Sequence, residues 1–441
     1  MDISSKQIGH ITFPIFLTLL TQSIVNVTNT AFLGHVGEVE LGASAIGGVF
    51  YVGIYMIGFG FSQGCQILIG RRNGEKEYSK IGNIFNNGLL FSILLALIFI
   101  FLAEFSISPL LGAMVKSEDI YRTTVRYLNW RLLGVVFMFV NIMYRALYVG
   151  IARTKVLSIS AAVTAVVNVI LDYTLIFGNF GFPALGIIGA AIASIIAETT
   201  ATVFLTVYTL KKTNYRQYGL FSLARVEWLV IKRTLDISIY MMFQHLISVS
   251  TWFLFFILIE RTGERPLAVS NITRSLYAIL MVPANALAAT NSTMISNLIG
   301  EGKLKEVIPL LKKILGINTW VYAPFVLLFL LLPEPLIRIY TSDTALIAAS
   351  VPAIRAISLA ILVFGTGTLL FVSVSAIGNT RLAFIFVFTV LIFYISYIFS
   401  VTVIWPSPVA VVWLSEYIYW GMIGFMSFLY LKYGSWQRII I

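Results

Sequence analysis

Long apolar stretches, nearly empty of charge and each of membrane-spanning length, follow one another from end to end of this 441-residue chain. They fall near residues 11–33, 42–69, 82–103, 123–149, 156–177 and 187–210, and then near 235–259, 267–297, 314–332, 348–376, 383–404 and 412–431. A hydrocarbon core of roughly 30 Å takes about 20 helical residues to cross. With 59% of residues hydrophobic and 11% charged, a soluble fold could not hide this much apolar side chain from water. A transmembrane barrel would instead show short alternating segments, which the sequence lacks. The expected fold class is an all-α polytopic membrane protein with twelve transmembrane helices. Prolines 14, 283, 324 and 352 fall inside or beside these runs and predict tilts and kinks. The first run has no small-residue cleavage site after it and reads as a retained span rather than a signal peptide. The one cysteine, Cys65, lies in an apolar stretch and excludes a disulfide framework or a thiolate metal site.

The formal net charge of +11 raises the question of an acidic partner, and the placement of Lys and Arg answers it. With a cytoplasmic N-terminus, twenty basic residues fall on the inner side, including Arg71, Arg72, Lys211, Lys212, Arg216, Arg225, Lys232 and Arg233. Five fall outside, namely Lys116, Arg122, Arg261, Arg265 and Arg338. The positive-inside rule then puts both termini in the cytoplasm, with the chain integral to the cytoplasmic (inner) membrane. The charge is explained by topology and calls for no nucleic acid.

A shift of 226 residues overlays the sequence on itself. Lys6 meets Lys232, Gly37 meets Gly263, Tyr51 meets Tyr277, Gly74-Glu75 meets Gly300-Glu301, and Thr154-Lys155 meets Thr380-Arg381. Matched loop residues such as Gly-Glu are harder to obtain by chance than matched apolar ones. The expected organisation is an N-terminal six-helix lobe (1–210), a basic cytoplasmic linker (211–234) and a C-terminal six-helix lobe (235–441). Six is even, so the halves enter the membrane in the same sense, as two parallel pseudo-symmetric bundles. Such repeats around a cavity suit alternating access in a transporter.

Candidate functional residues are the polar ones at membrane depth, where a charge is costly and tends to have a partner or a task. Asp172 and Asn168, four apart, share a face of the fifth span. Thr18, Gln22, Asn26 and Asn29 draw a polar stripe up the first span, ending at a similar depth. Together they predict a pocket for a proton or a cation in the first half. The matching positions of the second half are Gln244, Ser248, Trp252 and Phe255, with Tyr394 and Ile398 opposite Asn168 and Asp172. A competing expectation is that Asp172 pairs with Arg131 of the fourth span as a structural ion pair. Glu198, Glu416, His245 and Gln244 are secondary candidates. Cys/His clusters and phosphate-binding glycine loops are missing, so no cofactor is expected beyond a coupling ion. That ion is a proton, or sodium held by oxygens of Asp172, Asn168 and Asn26.

The stretches TAFLGHVG, GRRNGEKEY, GIARTKVL, SAIGNTRLAF and NVILDYTLIFGNFGFPALGIIGAAIAS resemble the multidrug and toxic compound extrusion (MATE) family, over essentially the whole chain. The polar first half looks most like its DNA-damage-inducible F branch. The resemblance implies an antiporter that exports drugs or organic cations against an inward flow of protons or sodium. Its partners would be amphipathic or cationic small molecules and membrane lipid, with the chain acting as a monomer. Members of the family commonly carry an acid where this chain has Asn29, which leaves Asp172 as the main titratable group of the pocket. The usual acid of the seventh span is also absent, with Gln244 and His245 nearby. A lipid-linked saccharide flippase of the same superfamily would need a strongly cationic cavity, for which Arg126, Arg131 and Arg145 are the candidates. A membrane-embedded enzyme would need a converging catalytic set, and none is found.

Overall fold

The computed structural model describes residues 1–222 and 226–438; Arg225 of the basic central stretch lies outside them. Twelve described helices are long and apolar enough to span a membrane. These are α1 (Ser5–Val36), α2 (Glu38–Gly74), α3 (Tyr78–Ala113), α4 (Glu118–Gly150), α5 (Lys155–Phe177), α6 (Ile187–Lys212), α7 (Trp228–Glu260), α8 (Glu264–Gly300), α9 (Leu304–Leu331), α10 (Thr344–Ile377), α11 (Thr380–Ile404) and α12 (Val409–Tyr433). Each corresponds to one expected apolar run. Several continue beyond it, because polar flanks such as Arg71-Arg72 or Lys211-Lys212 bound the hydrocarbon without ending a helix. At 37 residues, α2 and α8 are about 55 Å long, well past the hydrocarbon thickness.

The expected linker is shorter than residues 211–234. The α6 helix runs on to Lys212, two cations in its last turn matching the negative end of the helix dipole, and α7 begins at Trp228. Between them lies one helical turn, Tyr215–Tyr218. This segment is pinned to α3. Asn86 Nδ2 donates to the Gly219 carbonyl (2.9 Å), Phe221 N donates to Asn86 Oδ1 (2.9 Å), and Glu227 N donates to Asn87 Oδ1 (2.9 Å). Gly82 allows the approach, since a Cβ there would run into the Tyr218 and Gly219 carbonyls.

The chain divides into two compact units, Phe13–Phe243 and Gln244–Ile441 with Met1–Thr12. In the first, α2, α3 and α4 share a core built on Ala96, Leu111, Leu128, Val135 and Phe139. The α4 helix is interrupted by a tight turn of 3-10 helix at Leu132–Gly134. A second cluster of Leu33, Ala43, Ile176, Ile187 and Ala190 draws α1, α2, α5 and α6 together, with Phe32 edge-on to Phe177 at 5.6 Å. It sits one helical turn beyond Asn29 and Asp172, and so sets their spacing.

The Gly-Ala-Ala tail of the longest motif works through close packing. Gly189 of α6 faces the Leu175 carbonyl of α5, where a Cβ would come within 2.5 Å. The turn between the helices needs Gly178 in the left-handed region (φ 75°) and is closed by Leu185 N donating to the Leu175 carbonyl (2.9 Å).

In the other unit, α8, α10 and α12 pack tightly. Gly367 of α10 meets the Trp420 carbonyl of α12, and Asn291 of α8 donates to Ser373 Oγ (2.8 Å) and to the Leu369 carbonyl (3.0 Å). Trp252, Phe255, Tyr277 and Trp413 stack on one another, with Trp413 fully buried. The aromatic residues that the second half carries at its matched positions, Trp252 and Phe255, are therefore largely spent on its own core.

Candidate functional site

The unit Phe13–Phe243 encloses a cavity of about 430 Å³. One wall is α1, through Thr18, Thr21, Gln22, Val25, Asn26 and Asn29; the facing wall is α5, through Leu157, Ser160, Ala161, Thr164, Ala165 and Asn168. Both sets follow the three-and-four rhythm of a single helix face. The polar stripe of the first span thus turns toward the Asn168 face of the fifth, as the spacing predicts. Tyr51 and Tyr55 of α2, Arg131, Asn141 and Arg145 of α4, and Glu198 of α6 add further polar side chains to the lining.

Asp172 does not line the cavity. It is fully buried one turn beyond Asn168, which is itself 2% exposed, so the two amides at 29 and 168 stand between it and the open space. With the Asn29 amide turned so that its nitrogen faces the acid, Nδ2 donates to Asp172 Oδ2 (2.6 Å), Asn168 Oδ1 (3.0 Å) and the Val25 carbonyl (3.0 Å). The other carboxyl oxygen, Oδ1, is buried without a hydrogen-bond partner. An orphaned buried acceptor of this kind costs about 1–3 kcal/mol, and more when charged. A cation would relieve it, but among the described residues no ion pair involves Asp172.

The expected partner, Arg131, is engaged elsewhere. Its guanidinium clasps Glu198 of α6 with both terminal nitrogens (Nη2 to Oε1 2.6 Å, Nη1 to Oε2 3.1 Å). The Tyr51 hydroxyl also donates to Glu198 Oε1 (2.9 Å), and the Tyr51 ring stacks under the guanidinium at 3.7 Å. The structural ion pair is therefore Arg131–Glu198 rather than Arg131–Asp172. Gly134, in the break of α4, makes room for it: a Cβ there would lie 2.6 Å from Glu198 Oε2 and 2.7 Å from Arg131 Nη1. Further along the same seam Asn141 Nδ2 donates to the Glu198 carbonyl (2.9 Å), and the Tyr144 and Tyr148 hydroxyls bond to Thr206 and Thr209 (2.7 Å each).

Arg145 is different. It lines the cavity with its guanidinium 4.9 Å from the Phe59 ring, and among the described residues it has neither a carboxylate nor a hydrogen-bond partner.

The secondary candidates of the second half lie in the other unit. Glu416 is buried and accepts from Tyr277 Oη (2.9 Å) and Trp420 Nε1 (3.1 Å). Tyr277 and Tyr51 are the residues matched by the 226-residue shift, so each repeat aims the same tyrosine at a glutamate of its last helix. Glu198 has an arginine besides, and Glu416 has a tryptophan. Gln244 and His245 are half-buried in α7, outside the cavity of the first unit. Tyr394 and Ile398, opposite Asn168 and Asp172, are buried. Among the described residues no cluster of three or more His, Cys, Asp or Glu could hold a metal ion.

Sequence reasoning did not assign Tyr51 or Asn141 to the pocket, and named Arg145 only for the cationic cavity of the flippase reading. Asn141 and Arg145 are four apart on α4, and that spacing was the available signal.

The MatE family profile matches residues 14–174 and again 241–402, two segments spaced close to the 226-residue shift. A probable multidrug resistance protein NorM of Bacillus thuringiensis subsp. konkukian is 25% identical over 216 residues, 49% of this chain and 48% of that protein. Homologues of the same name from Neisseria meningitidis serogroup A (22% over 340 residues, 76% and 73%) and Thermotoga maritima (23% over 356 residues, 80% and 76%) align further. The chain thus spans about half the length of the Bacillus relatives and about three quarters of the others. Among solved structures, the outward-facing form of a multidrug resistance MATE family transporter of the MOP superfamily superposes with a TM-score of 0.90 at 16% identity, over 99% of this chain and 97% of that one. A eukaryotic MATE transporter superposes with a TM-score of 0.85 at 15% identity, over 98% and 96%. These superpositions show the fold.

Proposed function

From the premise that this chain belongs to the MatE family of membrane transporters, we propose that it is a proton-coupled antiporter exporting amphipathic organic cations by alternating access, with Asp172 as the coupling carboxylate. It is an integral membrane protein with twelve spans, in a family of transporters that bind small-molecule substrates and not of enzymes. The observation that carries the proposal is the setting of Asp172: fully buried, without an ion-pair partner, its Oδ1 unbonded, and separated from a drug-sized cavity only by Asn29 and Asn168. Such a group gains by taking up a proton, and its negative form attracts a cationic substrate to the same end of the cavity. Proton and cation then compete for one charge, which is the thermodynamic requirement for exchange.

The proton is favoured over sodium by the Asn29 amide. Its N–H bonds occupy Asp172 Oδ2 and Asn168 Oδ1, two of the oxygens that a sodium ion would need. The flippase reading loses support because Glu198 neutralises Arg131 and Arg126 is not part of the lining, which leaves Arg145 as the one uncompensated arginine of the three on the cavity wall. The polar pocket in the first unit favours the DNA-damage-inducible F branch, and the basic loops favour an inner-membrane location with cytoplasmic termini.

The test uses purified protein in sealed vesicles, ethidium as the cationic probe, and imposed proton or sodium gradients. A proton gradient should drive wild-type transport, and folded Asp172→Asn should lose the drive and bind the dye more weakly, with no dependence of that binding on pH. Undiminished gradient-driven transport by that variant would overturn the assignment.

A further inference from the structure

Three large apolar side chains stand in the open where the segment after α6 turns into α7. Val226 is 63% exposed, Trp228 67% and Leu229 61%. Cations flank them on both sides in sequence, Lys211, Lys212 and Arg216 before, Lys232 and Arg233 after, and all five are exposed. Among the described residues none of the five is in an ion pair, and the acids of the same stretch, Glu227 and Asp236, are too few to balance them. The segment is no slack tether. Tyr218 is edge-on to Tyr78 at 5.4 Å and Phe221 to Phe85 at 6.2 Å, while Asn86 and Asn87 hold the backbone at Gly219, Phe221 and Glu227. It therefore lies along α3 from the first turn of that helix to Asn87, about 14 Å at 1.5 Å per residue. The apolar run of α3 follows at once, from Leu89 on, so Trp228 opens α7 at the edge of the hydrocarbon. Topology accounts for cations near the ends of spans, but not for Val226, Trp228 and Leu229 exposed among them. Side chains of that kind at that depth belong in the boundary between headgroups and acyl chains, with neighbouring Lys and Arg reaching back to the phosphates.

We propose that this surface is a binding site for anionic phospholipid. The acyl boundary covers Val226, Trp228 and Leu229, and the headgroup phosphate is held by Lys232 and Arg233 of α7 with Arg216 of the preceding turn. Lys211 and Lys212 add to the field at the end of α6. Charge selects the lipid: a zwitterionic headgroup brings its own ammonium into the cationic array, an anionic one does not. Each cation near such a headgroup is worth about fivefold in affinity. A lipid bound here presses the connecting segment against α3 and fixes where α7 begins. The site is independent of what the cavity transports, so its failure would leave the antiporter reading untouched.

Native mass spectrometry of the full chain in detergent, with equimolar phosphatidylglycerol and phosphatidylcholine of identical acyl chains, counts the adducts of each lipid. Wild type should favour phosphatidylglycerol at least about tenfold, the worth of two of these cations. The triple variant Arg216→Gln, Lys232→Gln, Arg233→Gln should bring the ratio close to one. The exchange Lys232→Arg with Arg233→Lys keeps the charges and should keep the ratio, which separates lost charge from lost fold. Removing three exposed cations of the other unit, as Lys305→Gln, Lys312→Gln, Lys313→Gln, should leave the ratio unchanged. Trp228→Ser should weaken the adducts of both lipids alike. A wild-type ratio near one, a loss in the exchange variant, or an equal loss in the two triple variants overturns the site; the last outcome would assign the preference to basic loops in general.

Discussion

One acid, Glu198, lines the cavity and another, Asp172, is buried behind it, and the structure predicts that neutralising them has different consequences. Glu198 accepts two bonds from Arg131 and one from Tyr51, with the side chains of the pair 11% and 18% exposed. Removing one member of a buried pair leaves the other charge uncompensated, at a cost of about 3–5 kcal/mol. Asp172 has one short bond, from Asn29, an unbonded Oδ1 and no cation to strand. Its conversion to Asn removes a charge without orphaning another and should change stability by no more than about 1 kcal/mol. An unfolding entropy near 2.1 cal/mol/K per residue amounts to about 0.9 kcal/mol/K for a chain of this length. Glu198→Gln should therefore lower the melting temperature by about 3–5 °C, and Asp172→Asn by about 1 °C or less. Tryptophan-fluorescence melting of purified protein in detergent, at one scan rate, reads both. Replacing the whole pair, as Arg131→Met with Glu198→Met, should recover most of the loss, because apolar substitution of a buried pair is often neutral. The reasoning fails if Asp172→Asn is the more damaging change, or if the double variant is as unstable as the sum of its single ones.

Three further outcomes follow from contacts of the same kind. Gly134→Ala should push Arg131 and Glu198 apart and cost about 1–3 kcal/mol, with little added to Glu198→Gln in a double-mutant cycle by thermal melting. Tyr277→Phe should cost more than Tyr51→Phe: Glu416 loses one of two hydrogen bonds that have no cation behind them, whereas Glu198 keeps its arginine. The removed bond is worth about 1 kcal/mol where a partner remains and up to about 3 where the acceptor is left short, and comparative melting curves of the two variants test the order. Gly189→Val should force α5 and α6 apart at the Leu175 carbonyl; reduced ethidium transport with the vesicle insertion of wild type is the expected sign that the crossing, rather than assembly, is affected.

The twelve spans and the duplication were legible because each rests on a signal that accumulates over many residues. The polar stripe of α1 and the Asn168 face of α5 were legible too, since helical period alone decides which side chains share a face. The choice of partner was not. Arg131 lies at a depth that would suit Asp172, and sequence spacing has no way to say that the 3-10 break at Leu132–Gly134 and the missing side chain of Gly134 turn it to Glu198 instead. The linker was drawn too long for a related reason: charge marks where the hydrocarbon ends, and helices such as α6 continue past that point on their own hydrogen bonds.

The repeat itself explains why the proposed chemistry lies in one unit. Both copies keep a tyrosine of their second helix on a glutamate of their sixth, Tyr51 on Glu198 and Tyr277 on Glu416, so this contact belongs to the architecture the copies share. What differs is what surrounds it. In the second copy the position that the 226-residue shift matches to Arg131 is Ile357, fully buried, and the positions matched to Asn168 and Asp172 are Tyr394 and Ile398. Trp252, Phe255 and Trp413 fill the neighbouring space with stacked rings. The stacked rings leave little room for a substrate beside Glu416, whose carboxylate is held by Tyr277 and Trp420, which favours a mechanical role for the second unit. The first copy spends Arg131 on its own glutamate and retains two unpaired ionisable side chains, Asp172 and Arg145, in and behind one cavity. If that division holds, Glu416→Gln, whose amide oxygen can still accept from Tyr277 and Trp420, should leave the proton dependence of ethidium transport unaltered. A shifted proton dependence in that variant would move part of the coupling into the second unit.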